Sequence, residues 1–591
     1  MLPFLLWVGQ LLLFAVGVST DELLTALQNT DDCSSCLDFL ATLKTVALSG
    51  NDPFIIAFTQ LCIQLDVADP DVCTGLVARE GPILAHDLRS IGTTGQTARR
   101  LCDALMGQCV SKAVNPFIVP LPKSAPTQPD VLRSKGRPPL RVVHLSDVHI
   151  DRMYTVGAEA NCTKPICCRD FSTQRPTVPA GPNGNAQCDS PISLADSMLA
   201  EIERIGPDFS IFTGDVVEHD TWLVTRPEAT DALVSFNEEM ARALSAPVFP
   251  SLGNHDSAPD NAFARTTSHT TNNSNWVYDT ESIGWERWIG PNAASQVKHI
   301  SGSYSVQVPG LKLRTVAVNT QMWYKQNYWL YDSDIPQPDP NGILAFMVKA
   351  LQAAEDAGDP VWIIGHIPLG KEDTLPDQSN YYDQILQRYK NTITGQFFGH
   401  SHKDQFEIAY SNYSEQTAAN AVGLGWIAPA LTPTSGNPAF KVYDVDPDTF
   451  EIMDAKVYFT NISDPEFQIA PTWELYYSAR DTYGPLVGLP PSAPLSPAFW
   501  HNLTEVFAVN DTAFQLFNTF ITRGADVGAC SGACVNSTIC DMRAFRSQDN
   551  CDTPAQGLDL RRRSSVRATG VSKDSAECEG FGLASILSGA F

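Results

Sequence analysis

The chain has few basic residues for its length. Its 591 residues include 40 Lys and Arg against 66 Asp and Glu, which gives a formal net charge of −26 at pH 7 and a pI near 4.7. A chain of this charge repels nucleic acid and anionic membranes at neutral pH, and the repulsion weakens as carboxylates gain protons in acid. The composition therefore argues against a nucleic-acid-binding protein and favours activity at low pH.

The sequence also lacks a long apolar run after its first twenty residues. Residues 2–18 are almost wholly apolar, and small residues close the run before the acidic Asp21 and Glu22. This pattern predicts a secretory signal peptide over residues 1–20. The alternative is a membrane anchor, because no Lys or Arg precedes the run, but the run is shorter than the ~20 residues that span a bilayer.

Cysteines and glycosylation sequons are plentiful. Fifteen cysteines in three clusters and seven N-x-S/T sequons fit an oxidising and glycosylating route. The sequons lie at Asn161, Asn272, Asn412, Asn461, Asn502, Asn510 and Asn536. Because cytosolic residence would leave both features unexplained, we expect a secreted protein or one of an acidic vacuolar or lysosomal lumen.

The first six cysteines lie in segments such as 36–48 and 98–110, whose apolar positions recur at helical spacing. They are Cys33, Cys36, Cys62, Cys73, Cys102 and Cys109. Six cysteines allow many pairings, and spacing alone does not select one. Residues 113–139, by contrast, are rich in proline, which predicts an extended, semi-rigid connector rather than packed structure.

Beyond the connector, short β-branched or aromatic runs alternate with helical stretches. The predicted strands are 140–145, 209–212, 248–252, 313–318, 361–364 and 395–398. The predicted helices are 193–205, 231–244 and 343–357, and the region 473–522 is predicted as helices interrupted by prolines. The alternation predicts an α/β core with partly parallel sheets.

Five of these predicted strands are each followed by a motif of Asp, His or Asn. The motifs are Asp147-Val-His149, Gly214-Asp215, Gly253-Asn254-His255-Asp256, Gly365-His366 and Gly399-His400-Ser-His402. Residues at the carboxyl ends of sheet strands converge on one crevice, and mixed carboxylate and imidazole ligands suit zinc, manganese or iron. The motifs therefore predict one metal site.

The spacing within the motifs has a local interpretation. We expect Asp147 and His149, two residues apart, to leave an extended strand on the same face, and His400 and His402 to do likewise. The glycines of the motifs are expected to permit tight turns. A lone His would carry little information, but five motifs in this order make a structural coincidence a poor explanation.

This order of motifs resembles the calcineurin-like metallophosphoesterase superfamily. The resemblance implies a four-layer α/β/β/α sandwich and two metal ions bridged by one carboxylate. It implies a first ion held by Asp147, His149, Asp215 and His402. It implies a second ion held by Asp215, Asn254, His366 and His400.

Such a pair of ions implies a hydrolytic reaction at phosphorus. Two metals about 3.5–4 Å apart can share a water, lower its pKa and hold phosphate oxygens for in-line attack. Asn254 would add a neutral oxygen ligand opposite an anionic substrate. The leaving alkoxide needs a proton, for which His255 and His219 are the candidates, because a histidine titrates near mildly acidic pH. The alternative for His219 is an ordinary loop histidine.

The N-terminal cysteines resemble those of a saposin B-type domain, here over residues 21–112. That family implies the nested pairs Cys33–Cys109, Cys36–Cys102 and Cys62–Cys73, in a helical module whose halves open to lipid. The alternative is a small helical domain that the disulfides only stabilise.

The whole order of domains resembles the acid sphingomyelinase family. It comprises the saposin domain, the connector at 113–139, a phosphoesterase domain at 140–460 and a helical, disulfide-containing domain at 461–591. The resemblance implies a monomer with two zinc ions that hydrolyses sphingomyelin to ceramide and phosphocholine and reaches its membrane lipid through the saposin domain. It places His255 and His219 at the leaving-group side. It also implies the pairs Cys162–Cys167, Cys168–Cys188, Cys530–Cys534 and Cys540–Cys551, with Cys578 unpaired.

The chain departs from that family in two ways. A tyrosine near the lipid head group has no counterpart in residues 428–438, where Thr and Pro stand, and one further cysteine pair is missing. The first departure bears on choline recognition rather than on hydrolysis. Six aromatic residues near the motifs are expected either to line a lipid-facing rim or to pack under loops. They are Trp222, Trp276, Trp323, Tyr324, Tyr328 and Trp329.

Three other functions compete with sphingomyelin hydrolysis. A sphingomyelinase-like phosphodiesterase could act on another phospholipid head group or on nucleotides, although a soluble nucleotide needs no saposin domain. A purple acid phosphatase is disfavoured because Glu218 stands where that family has a tyrosine ligand. A non-enzymatic lipid-binding glycoprotein would need no metal motifs, and the intact motifs argue against it.

Overall fold

The structure is a computed structural model that describes residues 18–127, 132–172, 174–268, 270, 273–525, 527–551 and 581–588. Three predicted features lie outside these residues: the signal peptide over 1–17, the sequon at Asn272 and the unpaired Cys578. Among the helices that the structure describes, none combines the length and apolarity needed to cross a bilayer.

Two six-stranded sheets form the centre of the chain. In chain order, the strands are β1 (Leu140–Leu145), β2 (Phe209–Phe212), β3 (Val248–Pro250), β4 (Tyr304–Gln307), β5 (Arg314–Ala317), β6 (Val361–Ile364), β7 (Ile393–Phe398), β8 (Gln405–Tyr410), β9 (Ala421–Ile427), β10 (Ala439–Val445), β11 (Ile452–Phe459) and β12 (Glu474–Ser478). The first sheet has the order β12-β11-β10-β1-β2-β3, and the second has the order β4-β5-β6-β7-β9-β8.

In each sheet, the strands that are followed by a metal motif run parallel to one another. In the first sheet β1, β2 and β3 are parallel, and β1, β10, β11 and β12 pair antiparallel. In the second sheet β5, β6, β7 and β9 are parallel, and only the outer pairs β4-β5 and β8-β9 are antiparallel. The parallel strands β2 and β6 are buried along their whole length, as expected for strands covered on both faces. The partly parallel α/β core predicted from the sequence is therefore confirmed.

The two sheets pack face to face through aromatic side chains. Phe209 of β2 lies with its ring centroid 5.5 Å from that of Trp362 of β6, and Tyr443 of β10 lies 5.4 Å from Phe397 of β7. Helices cover the sheets and complete the four-layer α/β/β/α sandwich that the resemblance implied. They are α6 (Ile192–Ile205), α7 (Arg226–Ala243), α8 (Asn275–His299), α9 (Ile343–Ala357) and α10 (Pro376–Tyr389).

The N-terminal region is helical, as predicted. Its helices are α1 (Thr20–Gln28), α2 (Cys33–Ala47), α3 (Asn51–Gln64), α4 (Pro70–Ser90) and α5 (Gln96–Met106). Asp32 caps α2, since its carboxylate accepts a hydrogen bond from the Ser35 N–H at 2.8 Å, and Pro70 begins α4. The apolar faces of these helices form a second core, separate from that of the sheets.

The structure contains seven disulfides among the described cysteines, and all match the pairs implied by the family resemblance. Three lie in the N-terminal helices, two follow β1, and two lie near the C-terminal helices: Cys33–Cys109, Cys36–Cys102, Cys62–Cys73, Cys162–Cys167, Cys168–Cys188, Cys530–Cys534 and Cys540–Cys551. The described sequon asparagines, all of them except Asn272, are exposed.

Two sequence expectations need correction. The connector is extended but also packs on α10: the Asn115 N–H donates to Asp377 Oδ1 at 2.8 Å, and Val119 is buried. Proline removes backbone donors without preventing a side chain or a neighbouring amide from packing. The region predicted as helices from 473 onwards instead begins with strand β12, which pairs with β11.

The remaining helices follow β12. They are α11 (Ala479–Val487), α12 (Pro497–Val509), α13 (Asp511–Ile521), α14 (Ala533–Met542) and α15 (Leu583–Ser588). The first three are the helices that the sequence predicted beyond residue 473. Helix α12 packs on strands β8 and β9 of the second sheet, so this helical end belongs to the same core.

Candidate metal centre

The five motifs lie where the parallel strands end. β1, β2, β3, β6 and β7 end at Leu145, Phe212, Pro250, Ile364 and Phe398, and each motif begins within three residues of its strand. Their side chains meet at one place, because the carboxyl ends of parallel strands share an edge of a sheet and the two sheets face each other. The convergence predicted from the motif order is present in the structure.

The backbone of the motifs differs from the expectation of extended strands. Asp147, His149, Asp215, His400 and His402 all have positive φ, at 51°, 37°, 64°, 69° and 56°. Residues other than glycine seldom adopt this left-handed conformation, and where they do, they cluster at functional sites. The expectation that side chains two apart leave an extended strand together was therefore wrong, since the strand has ended and the loop turns.

The surrounding loops hold this backbone in place. The Asp147 N–H donates to the Gly214 oxygen at 2.9 Å, and the Val148 N–H donates to the Asp215 oxygen at 2.9 Å. Gly214 has a φ of +97°, and a Cβ there would clash with the backbone of Gly253. Among the four motif glycines, only Gly214 needs the left-handed region, and the others allow close packing.

A first group of four side chains lies on one side of the centre. Asp147, His149, Asp215 and His402 are fully buried, and each places a ligand atom within 4.8 Å of the others. His149 Nε2 is 3.1 Å from His402 Nε2 and 3.5 Å from Asp215 Oδ2. This is the set that the resemblance implied for the first ion.

A second group shares Asp215 with the first. Its other members in the Asp and His cluster are His366 and His400. His366 Nε2 is 3.1 Å from Asp215 Oδ2 and 2.9 Å from Asn254 Oδ1, which is also 3.0 Å from His400 Nδ1. The structure thus brings together all seven residues expected to bind metal, with Asp215 between the two groups.

Hydrogen bonds fix the orientation of each imidazole. His149 Nδ1 donates to the Val217 oxygen at 2.7 Å, and His366 Nδ1 donates to the Thr213 oxygen at 2.6 Å. His400 Nε2 donates to Asp373 Oδ2 at 2.6 Å. Metal-bound histidines commonly use their second nitrogen in this way, so the other nitrogen stays available as a ligand.

The unpaired atoms of the centre fit divalent cations. Asp215 Oδ2 is buried and accepts no hydrogen bond from the described residues. Because the Val217 oxygen only accepts, His149 carries its proton on Nδ1, and the lone pair on Nε2 faces the other nitrogens. Burial, with the neighbouring His219, holds the pKa of His149 well below its ordinary value. Imidazole nitrogens and carboxylate oxygens that converge in this way fit a pair of divalent cations.

His219 and His255 lie beside the first group. Their ring centroids are 4.7 Å apart, and the His219 ring lies 3.8 Å from that of His149. His219 Nε2 and both nitrogens of His255 are buried without a hydrogen-bond partner among the described residues. His219 also falls in a possible ligand group with His149 and His402, so its position fits either a ligand or a proton donor.

Asp189 is a functional neighbour that the sequence analysis missed. Its carboxylate accepts the His219 backbone N–H at 2.6 Å and His219 Nδ1 at 2.7 Å, and the Thr432 hydroxyl donates to it at 3.1 Å. Burial alone would lower the pKa of His219, but the charge and hydrogen bond of Asp189 raise it above the ordinary value. Burial lowers the pKa of His255 to about 3. Asp189 follows Cys188 without a recognisable motif.

Residues 428–438, which lack the family's tyrosine, line the centre with small polar groups. Ser435 Oγ is 3.1 Å from His402 Nδ1, and Thr432 contacts Asp189. The six aromatic residues considered for a lipid-facing rim are all buried, so they pack under loops as in the alternative interpretation. Tyr324 is closest to the metal residues, with its ring centroid 5.1 Å from that of His400.

Comparison with known proteins defines the class first. Residues 140–404 match the family model of calcineurin-like phosphoesterases. The two sheets and the dimetal centre are thus those of a metallophosphoesterase.

Relatives over most of the chain define the family. Sphingomyelin phosphodiesterase of Bos taurus is 33% identical over 515 residues, which cover 84% of this chain and 78% of the bovine protein. Sphingomyelin phosphodiesterase 2 of Caenorhabditis elegans is 30% identical over 561 residues, which cover 88% and 87%. Acid sphingomyelinase-like phosphodiesterase 3b of Homo sapiens is 28% identical over 427 residues, which cover 68% and 87%. The chain belongs to the sphingomyelin phosphodiesterase family, and its expected enzyme class, phosphoric diester hydrolase, is confirmed.

Proposed function

We propose that this protein hydrolyses sphingomyelin to ceramide and phosphocholine. The observation that carries the proposal is the pair of buried ligand groups that share Asp215, in a chain whose relatives are named for this substrate. Two divalent cations bound there would orient the phosphodiester and lower the pKa of the attacking water.

The two ligand groups divide the protein side chains between the ions. Asp147, His149, Asp215 and His402 would hold one ion, and Asp215, Asn254, His366 and His400 would hold the other. Four imidazoles among seven residues favour zinc over magnesium or calcium, which prefer all-oxygen ligands. The outward hydrogen bonds of the imidazoles keep their lone pairs directed into the centre.

His219 is proposed to protonate the departing ceramide oxygen, and the neutral His255, whose pKa burial lowers to about 3, is proposed to donate a hydrogen bond to the same oxygen. His219 Nε2 and both ring nitrogens of His255 have no hydrogen-bond partner among the described residues. Asp189 orients His219 through two hydrogen bonds and favours its charged form. A proton donor is needed because an aliphatic alkoxide is a poor leaving group.

The N-terminal helical domain is proposed to bring the lipid to the centre. Arg79 of α4 donates from Nε to the Val224 oxygen at 2.8 Å and from Nη2 to the Leu223 oxygen at 2.6 Å. These residues lie four and five positions after His219. The domain is therefore attached to the loop that carries a proposed catalytic residue, which suits a saposin-type lipid carrier.

The disulfides indicate an oxidising compartment, and the exposed sequons are accessible for glycosylation. We infer that the protein works as a monomer, outside the cell or in an acidic vacuolar or lysosomal lumen. The proposal also includes the domain boundaries: the N-terminal helical domain ends at residue 112, the connector at residue 139 and the phosphoesterase domain at residue 460.

The test is phosphocholine release from vesicles of sphingomyelin at mildly acidic pH, beside vesicles of other phospholipids and soluble nucleotide diesters. Preferential release from sphingomyelin supports the proposal. Cleavage of another head group or of nucleotides, with sphingomyelin intact, would favour the sphingomyelinase-like alternative. Vesicle binding without cleavage of any diester, in the presence of zinc, would favour the lipid-binding glycoprotein.

A further inference from the structure

The C-terminal segment 581–588 lies far in sequence from the N-terminal helices but shares their core. Phe581 and three side chains of helix α15, Leu583, Ile586 and Leu587, are at most 2% exposed. They belong to the core cluster of the N-terminal domain, and α15 packs on α4 and α5. The segment therefore fills an apolar surface of the domain proposed to carry lipid.

Two hydrogen bonds fix the segment at the junction with the phosphoesterase core. The Thr221 hydroxyl donates to the Phe581 oxygen at 2.8 Å, and the Leu583 N–H donates to Glu80 Oε2 at 3.3 Å. Thr221 lies two residues after His219, and Glu80 is a buried residue of α4. The segment thus contacts both the helical domain and the loop that leads to the metal centre.

The apolar cluster that contains the segment extends into the phosphoesterase domain. The same apolar cluster includes Trp222, Ala264, Tyr328 and Trp329 of the phosphoesterase domain. An acyl chain needs an apolar surface that is shielded from water, and the four apolar side chains of the segment occupy such a surface. Segment and acyl chain would compete for it.

We propose that segment 581–588 is an intramolecular ligand of the N-terminal helical domain, which it occupies in place of lipid acyl chains and from which it must be displaced for a membrane to bind. This inference rests on the lipid-carrying role proposed for the N-terminal helical domain, but not on sphingomyelin as the substrate. A tethered segment competes at high effective concentration, so a weak contact suffices to keep the surface covered.

The test compares two full-length variants with the same added charge on the same helix. Ile586→Asp places a charge in the apolar core and should release the segment, while Ser585→Asp, at a half-buried neighbour, is the control. If about one tenth of the wild-type molecules have the segment released, Ile586→Asp should bind vesicles of sphingomyelin and phosphatidylcholine about tenfold more tightly in co-sedimentation. Cleavage of a soluble chromogenic phosphodiester should stay within about twofold of wild type.

Two further measurements test the inference without the Ile586→Asp variant. A chain that ends at Cys551 should bind vesicles like Ile586→Asp, and a peptide of residues 581–588 added to it should lower the binding again. Unchanged or weaker vesicle binding by both altered chains, or a peptide without effect, would overturn the inference. Vesicle binding is measured independently of hydrolysis. Tighter binding by the altered chains, with sphingomyelin left intact, would therefore support this inference and contradict only the proposed hydrolysis of sphingomyelin.

Discussion

The metal centre and the junction between the N-terminal helices and the phosphoesterase core are both buried, but the centre consists of polar side chains and the junction mainly of apolar ones. The centre gathers carboxylates, imidazoles and an amide whose lone pairs face each other. The junction gathers apolar side chains around two buried carboxylates, Glu80 and Asp87. The buried carboxylates of the centre need metal cations to balance their charge. The buried carboxylates of the junction are instead more stable in the protonated, neutral form.

The largest effect is expected at the residue common to both ligand groups. Asp215→Asn removes a negative charge from both ions, and several kcal/mol of lost transition-state stabilisation corresponds to a fall in kcat of more than about a thousandfold. Metal analysis should show less bound zinc per chain. The exposed Asp231→Asn is the control and should keep wild-type activity. Near-normal activity in Asp215→Asn would contradict the assignment of this site.

The next effect separates the two histidines at the leaving group from the metal ligands. His219→Gln and His255→Gln should each lower sphingomyelin cleavage by about a hundredfold or more, because the first loses the proton donor and the second loses a hydrogen bond to the leaving oxygen. A nitrophenyl phosphodiester, whose leaving group needs no proton, should be cleaved at a rate much closer to that of wild type. Equal losses of activity on both substrates, together with less bound metal, would identify the altered histidine as a metal ligand.

A substitution at the junction should act on lipid more than on chemistry. A Cβ at Gly75 of α4 would clash with the backbone oxygen of Trp222, so Gly75→Val should destabilise the docked domain by about 1–3 kcal/mol. We expect vesicle hydrolysis to fall several-fold while the soluble diester is still cleaved. Gly528→Val is the matched control, because no atom of the described residues lies within 4 Å of a Cβ at that position. Equal loss on both substrates would show that the junction serves the fold alone.

The smallest effect concerns pH. Burial raises the pKa of Asp87 well above 3.8, against the nearby charges of Arg265 and Arg89. Burial and the charge of Asp260 raise that of Glu80 well above 4.5, against the Leu583 N–H. The folded state therefore holds these protons more tightly, and stability falls as the pH rises above 3.8 and 4.5 towards the raised values.

Asp87→Asn should abolish the part of this loss of stability that is due to ionisation of Asp87. The melting temperature of the variant should exceed that of wild type by about 2–4 °C at pH 7.5 and match it near pH 4. Asp38→Asn, exposed on α2, should change neither value. A variant that melts lower than wild type at pH 7.5 would show that the Asp87 carboxylate stabilises the junction through its charge.

The same contrast explains what the sequence could predict. Each metal motif is a few adjacent residues after an apolar strand, so the centre and the α/β core were foreseeable from short patterns. The left-handed backbone at Asp147 and His402 was not, because it depends on bonds to neighbouring loops.

Contacts between distant segments gave no local signal at all. Asp189 reaches His219 across 30 residues, and Phe581 reaches Thr221 across 360. Nothing in the residues around either partner identifies the other. Such pairs become visible only when the fold brings them together.

The most direct test of the account is a zinc titration of the metal-stripped protein, with phosphocholine release from sphingomyelin vesicles as the readout. We predict no release without metal and a rise that saturates at two zinc ions per chain, as expected for two ligand groups bridged by Asp215. Release that persists after metal removal, or that saturates at one ion per chain, would contradict the two-metal centre.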